Sequence, residues 1–144
     1  MTADVAPASD LLDESRCLEL LAANDFGRVA VSIGAMPAIF PVNFCFAEGR
    51  ILFYAEGGSR LAAALQHAVV AFEVDETDGA TRQGWSIQVV GVAGFASASE
   101  GAAAGRAGLR HWPTTHRQVL VSLDPGQILG RRLPPADAGE HVVL

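Results

Sequence analysis

The chain predicts a mainly β protein (α+β in class), a small antiparallel barrel of six or seven strands with flanking helices. Two features carry that reading. Short stretches rich in Val, Ile and Phe follow one another through tight Gly-containing turns, in hairpin order. They do not alternate regularly with helices, as the strands of a parallel α/β sheet would. At 144 residues, half of them hydrophobic and 18% charged, the chain forms one domain able to bury its own core.

In order, residues 1–9 read as a tail, 10–133 as the folded domain and 134–144 as a second tail. Asp10 or Asp13 caps a first helix running to about Ala23, with Cys17, Leu18, Leu21 and Ala22 as its apolar stripe. Asn24, Asp25 and Gly27 end it. Arg28–Ile33 alternates apolar Val29, Val31 and Ile33 with Arg28, Ala30 and Ser32, a half-buried strand. After the turn Gly34–Pro37, the next strand is Ala38–Phe46. Pro41 withholds a ladder donor, so the strand must be an edge or bulged there, with the backbone at Pro41, Val42 and Asn43 open to another partner.

Glu48–Arg50 turns the chain into Ile51–Tyr54. A helix over about 60–67 follows, then a strand Val69–Val74, a polar loop Asp75–Gly84 and a long strand Trp85–Phe95. That strand puts Trp85, Ile87, Val89, Gly91 and Ala93 on one face. Ala98 to about Leu109 reads as helix weakened by Gly101, Gly105 and Gly108, and Trp112–Pro113 stops it. Gln118–Leu123 and a short Gln127–Arg131 complete the strands.

Composition removes several functions. The net charge of −6 does not supply the basic face that nucleic-acid binding needs. All ten basic residues are arginine, so lysine Schiff-base chemistry is excluded. No apolar run approaches the roughly 20 residues that span a bilayer, so no membrane role is expected. The N-terminus lacks the pattern of a signal peptide, and Cys17 and Cys45 read as buried free thiols; both point to the cytoplasm. His67, His111, His116 and His141 lack metal-ligand spacing, and no metal site is expected. Glu73 and Asp75 read as surface charge at a strand end. No catalytic residue can be named.

The stretch Ile51–Leu65 is the one with chemical promise. A strand meets Gly57-Gly58, passes through Ser59 and Arg60, and enters an alanine-rich helix. Unpaired N–H groups, a hydroxyl and a guanidinium then share one turn, which is how a chain makes an anion pocket. A plain capped turn has the same spacing, which matches neither the P-loop nor G-x-G-x-x-G.

Phe53-Tyr-Ala-Glu-Gly-Gly-Ser-Arg60 resembles the phosphate-binding segment of the pyridoxamine 5′-phosphate oxidase superfamily, the FMN-binding split barrels. Gly27–Val31, Pro41–Phe44, Gly58–Leu61 with Val70–Asp75, and Gly84–Ile87 running into Gly91 are similar to its actinobacterial members. The resemblance covers roughly residues 10–133. It implies a six-stranded split barrel forming a homodimer, with FMN (or the deazaflavin F420) in clefts between subunits and a small-molecule substrate. It puts Ser59 and Arg60, after Gly58, on the phosphate, and Tyr54 and Ala55 beside the ribityl end. The open backbone of Pro41, Val42 and Asn43 would face the ring edge. Trp85, Ser86 and Trp112 would wall the cleft, from the partner subunit in some or all cases.

The chain departs from the true oxidases at Phe40 and Cys45, where basic residues are usual, at Ala55, often threonine, and at Leu61, often basic. The resemblance therefore does not imply pyridoxamine-phosphate oxidase activity itself. The other reading of these departures is a non-catalytic split barrel that senses or binds another ligand, such as haem.

Overall fold

A computed structural model of the chain describes residues 10–135. Both sequence-predicted tails therefore fall outside the described residues, apart from Pro134 and Pro135, and so does His141. The elements are β1 (Leu11–Leu12), α1 (Glu14–Ala23), β2 (Phe26–Ile33), β3 (Met36–Ala47), β4 (Arg50–Glu56), α2 (Arg60–Ala64), β5 (Ala68–Thr77), β6 (Gly84–Phe95), α3 (Ala98–Arg106) and β7 (Gln118–Leu133). All strand pairs are antiparallel. Six strands close on themselves in the order β2-β3-β4-β7-β6-β5, and β1 adds to β7 outside the ring. The predicted six-stranded barrel is the observed one.

The barrel interior is apolar because inward positions alternate along every strand. Phe44, Phe53 and Phe72 are fully buried there, and Phe44 meets Phe72 edge-on with centroids 4.8 Å apart. The helix α1 contributes Cys17, Leu20 and Leu21 to this core, and α2 contributes Ala62, with Leu65 just after it. Asp13, not Asp10, is the cap of α1, its carboxylate accepting from the N–H of Arg16 at 2.8 Å. Leu20 rather than Ala22 completes the buried stripe, and Ala22 is exposed. Gly27 does not end the helix. It lies in β2, where a side chain would run into the Phe72 ring.

Three further expectations need correction. The helix after Ser59 is five residues long, ending at Ala64. The predicted polar loop begins three residues late, because Asp75–Thr77 continue β5 against Gly84–Ser86. The predicted pair of C-terminal strands is one strand of 16 residues. Asp124-Pro-Gly reads as a turn, yet β6 holds both sides of it in register through a bulge opposite Val90 and Gly91. A bulge accepts the proline that a regular ladder would reject.

The helix α3 packs outside the barrel, burying Ala103 and Ala104 away from the main core. Ser97 and Glu100 form a reciprocal capping box at its start. The other Glu100 oxygen accepts from the Ser122 hydroxyl at 2.6 Å, tying α3 to β7. At its far end Gly108 takes φ +72° and the N–H groups of Gly108 and Leu109 return to the carbonyls of Gly105 and Ala104. This is a Schellman stop, which only glycine enters without strain. Gly108 is thus a terminator, and it turns residues 110–114 back over the barrel.

Candidate functional site

The barrel is open where β3 and β4 part. β3 pairs with β2 from Met36 to Asn43, but with β4 only at Phe44–Ala47. β4 meanwhile stays on β7 as far as Glu56. The two strands diverge beyond Phe44 and Phe53, leaving Pro41–Asn43 with a neighbour on one side only. This is the edge that Pro41 predicted, and its free side borders a cleft of about 220 Å³. Pro41, Val42 and Asn43 form one wall, Tyr54, Ala55 and Glu56 the other.

The segment after α3 crosses the mouth of this cleft. Tyr54 meets the ring of His111 edge-on at 5.3 Å, and Phe26 meets Trp112 in the same manner at 6.5 Å. The Nδ1 of His111 donates to the carbonyl of Trp112 at 2.9 Å, which fixes the tautomer. Arg110, His111 and Trp112 all line the cleft. Arg110 and His111 were missed at the sequence level; the Arg-His-Trp run after an alanine-rich helix was their only signal. Trp112 belongs to the cleft of its own chain, and is still 58% exposed.

The turn after β4 is arranged differently from the anion pocket expected of it. The Ser59 hydroxyl is already committed, accepting from the N–H of Ala62 at 3.0 Å and donating to the carbonyl of Glu56 at 2.6 Å. It is a helix cap. The N–H groups of Gly57 and Ser59 are bonded to Arg117 and Glu56 carbonyls. Gly58, Arg60 and Leu61 keep free N–H groups, and the Arg60 guanidinium is exposed with no carboxylate partner among the described residues. Leu61 lines the cleft; Gly58, Ser59 and Arg60 do not. Glu56, also on the wall, is engaged by His116 at 3.2 Å.

Trp85 and Ser86 lie elsewhere, at the start of β6 opposite Glu76 and Asp75. Trp85 packs against the core, while Ser86 shares the outward face with Asp75, Glu73 and Gln88. Within one chain neither reaches the cleft.

That outward face of β2, β3, β5 and β6 is apolar in the middle. Ala30 is opposite Ile39 and Ala71, and Val69 is opposite Val92; Ile39 and Val69 are each 70% exposed. At its edge Arg28 holds Glu73 at 3.0 Å and Asp75 at 3.7 Å. Glu73 and Asp75 therefore share one guanidinium at the strand end. Burial, followed by the hydrogen bond and the repulsion from Asp75, raises the Glu73 carboxyl to about 7 against the pull of Arg28. A raised folded-state pKa means that the folded chain holds a proton the unfolded chain has released. Stability then falls as pH rises from the ordinary glutamate range through about 7. Glu73→Gln should relieve this: its melting temperature relative to the native chain should rise between pH 5 and pH 8, by circular dichroism. An equal offset at both pH values would contradict the raised Glu73 carboxyl.

Among the described residues no group of three His, Cys, Asp or Glu side chains is placed to hold a metal, and no helix is long and apolar enough to cross a membrane. Both cysteines are free; Cys17 is buried and Cys45 half-buried. Their thiols are pushed above the ordinary value chiefly by burial.

Comparison with known proteins agrees with this architecture. The chain is 34% identical over 131 residues to the uncharacterized protein Rv0080 of Mycobacterium tuberculosis, spanning 85% of this chain and 84% of that one. Among solved structures, the FAD binding protein from Mycobacterium smegmatis superposes with a TM-score of 0.74 at 33% identity, covering 87% of this chain and 98% of that one. The conserved protein of unknown function DIP1874 from Corynebacterium diphtheriae gives a TM-score of 0.68 at 32% identity, over 84% of this chain and 94% of that one. The sequence model of the pyridoxamine 5′-phosphate oxidase family matches residues 13–132, which takes in the whole barrel up to the last residues of β7, and the chain belongs to that family.

Proposed function

We propose that the protein is a homodimeric flavin oxidoreductase that holds FMN in the cleft between β3 and β4 and acts on a small molecule in the cytoplasm. The open backbone edge at Pro41–Asn43, facing Tyr54 across a cleft with aromatic cover, is the observation that carries this reading. The donor set suits a flavin. A planar polar ring needs main-chain donors and acceptors along one edge and apolar or aromatic groups against its faces. The Asn43 carboxamide is half-buried with no hydrogen-bond partner among the described residues, so it can bond a ring carbonyl. A structural relative at 33% identity is described as an FAD binding protein, which supports a flavin nucleotide.

Arg60, with the free N–H groups of Gly58 and Leu61, would hold the phosphate; Ser59 positions them by capping α2. Ala55, Phe40 and Leu61 present an apolar wall in place of further phosphate ligands. Bound flavin would supply two-electron transfer, and the chain would orient it and exclude water.

The cleft is shallow for a flavin, because ligand pockets of this kind run to about 300–1,000 Å³. A second copy docked on the outward face would add the missing wall, and it would bring Ser86 towards the groove. The exposed, apolar Ile39 and Val69 support that docking face.

The decisive test is the visible spectrum of the purified protein, followed by titration with FMN. A flavin absorption band, or binding at micromolar FMN, is expected; no uptake at tens of micromolar would reject the reading. Arg60→Ala should weaken FMN by about 1.5–3 kcal/mol, the value of a charged hydrogen bond, without changing the affinity for riboflavin. Isothermal titration reads both.

A further inference from the structure

A second cavity, of about 510 Å³, lies beside the cleft. The two share Asn43 and Arg110 as lining residues, at the fork where β3 leaves β4. Apart from Asn43, no residue of this chamber is used in the flavin reading. Its walls are the end of α1 with Asn24 and Asp25, the stretch of β3 from Asn43 to Phe46, and the Schellman turn after α3.

Its charges are arranged in an unusual manner. Arg110 and Asp25 line the same cavity, and no ion pair joins them. Neither side chain has any other polar partner among the described residues. Both are exposed, so the cavity offers a guanidinium near the fork and a carboxylate at the α1 end, each open to an opposite charge. The carbonyl ends of α1 and α3 both border the chamber, and Ala22 and Ala23 of the last α1 turn line it. Those carbonyls carry the negative pole of the helix dipole, which favours a cation. A lone phosphate or dicarboxylate would satisfy Arg110 but be repelled by Asp25 and the helix ends. A lone amine would meet the reverse problem. A molecule carrying both charges satisfies each end at once.

We propose that this chamber binds a small zwitterion of the amino-acid class, its carboxylate on Arg110 and its ammonium on Asp25. Leu109 and Phe46 supply apolar surface for its carbon chain. A molecule there sits next to the open edge of β3, so it belongs to the class of substrate the cleft would act on. That role rests on the flavin reading; binding in the chamber does not.

The full-length protein, freed of any flavin, would be titrated with L-alanine, L-leucine and 5-aminovalerate, using propionate and propylamine as single-charge controls. A saturable rise in melting temperature and a calorimetric isotherm are expected for at least one zwitterion, with both controls at least about tenfold weaker. Arg110→Gln and Asp25→Asn, both surface changes, should each weaken the zwitterion by about tenfold or more and leave the unliganded melting temperature unchanged. If the controls bind as well as the zwitterions, if no zwitterion binds at 10 mM (about 2.7 kcal/mol of affinity), or if both variants bind as the native chain does, the proposal falls. In a parallel titration with FMN, zwitterion binding without flavin uptake would keep the chamber and reject the flavin reading. Flavin uptake without zwitterion binding would do the opposite.

Discussion

Gly91→Val should prevent the barrel from closing. Gly91 sits at the bulge where β6 faces Asp124-Pro-Gly of β7, and a Cβ there would overlap the Asp124 carbonyl and crowd the Gly126 N–H. The colliding atoms are backbone, held on both sides by a ladder running from Gly84–Leu133 to Phe95–Val121. No rotamer change can relieve the overlap. Overpacking against fixed backbone belongs with the severe substitutions, about 4 kcal/mol or more. Stability in a domain of this size is about 5–15 kcal/mol, so most of it would be lost. Gly94→Val, three residues along the same strand, is the control, because a Cβ there meets nothing within 4 Å. Thermal melts followed by circular dichroism should show a normal transition for Gly94→Val and a much lower one, or insoluble protein, for Gly91→Val. Comparable melts for the two would mean that β6 and β7 do not approach each other as described.

The double substitution Ile39→Asp and Val69→Asp should separate the proposed dimer while leaving each chain folded. Both side chains are 70% exposed in the single chain, where a polar replacement changes stability by about 0.5 kcal/mol or less. In an interface they would place uncompensated carboxylates in an apolar contact. An unpaired buried charge costs about 3–5 kcal/mol, or a rise of at least a hundredfold in the dimer dissociation constant. Sedimentation velocity at micromolar concentration reads the outcome: native dimers and variant monomers are expected, with FMN affinity falling alongside because half the groove is gone. A native chain that sediments as a monomer would defeat the proposal. So would a variant that remains dimeric.

The elements that were readable in the chain owe this to local chemistry. Alternation in Arg28–Ile33 and Trp85–Phe95, the asparagine and aspartate stops, and the turn at Glu48–Arg50 are written in neighbouring residues. Pro41 announced an open edge because a missing N–H has the same consequence in any sheet. By its neighbours Ser59 is equally an anion ligand or a cap, and only the fold shows its hydroxyl bonded to Glu56 and Ala62. The single long β7 defied its own Asp-Pro-Gly, because a partner strand with a glycine in the right place can absorb an extra residue. The coupling of Glu73 with Arg28 likewise crosses 45 positions of chain, out of reach of any local window.

The residues alone determined the class of fold, the family and the stretch of strand left without a neighbour, since each depends on side-chain type and short spacing. Tertiary structure alone decided that Arg110, His111 and Trp112 come to that stretch and that Ser59, Trp85 and Ser86 do not line it. The reason is physical: a Schellman turn at Gly108 and the divergence of β3 from β4 set the position of those side chains, and both follow from how α3 and the barrel pack together.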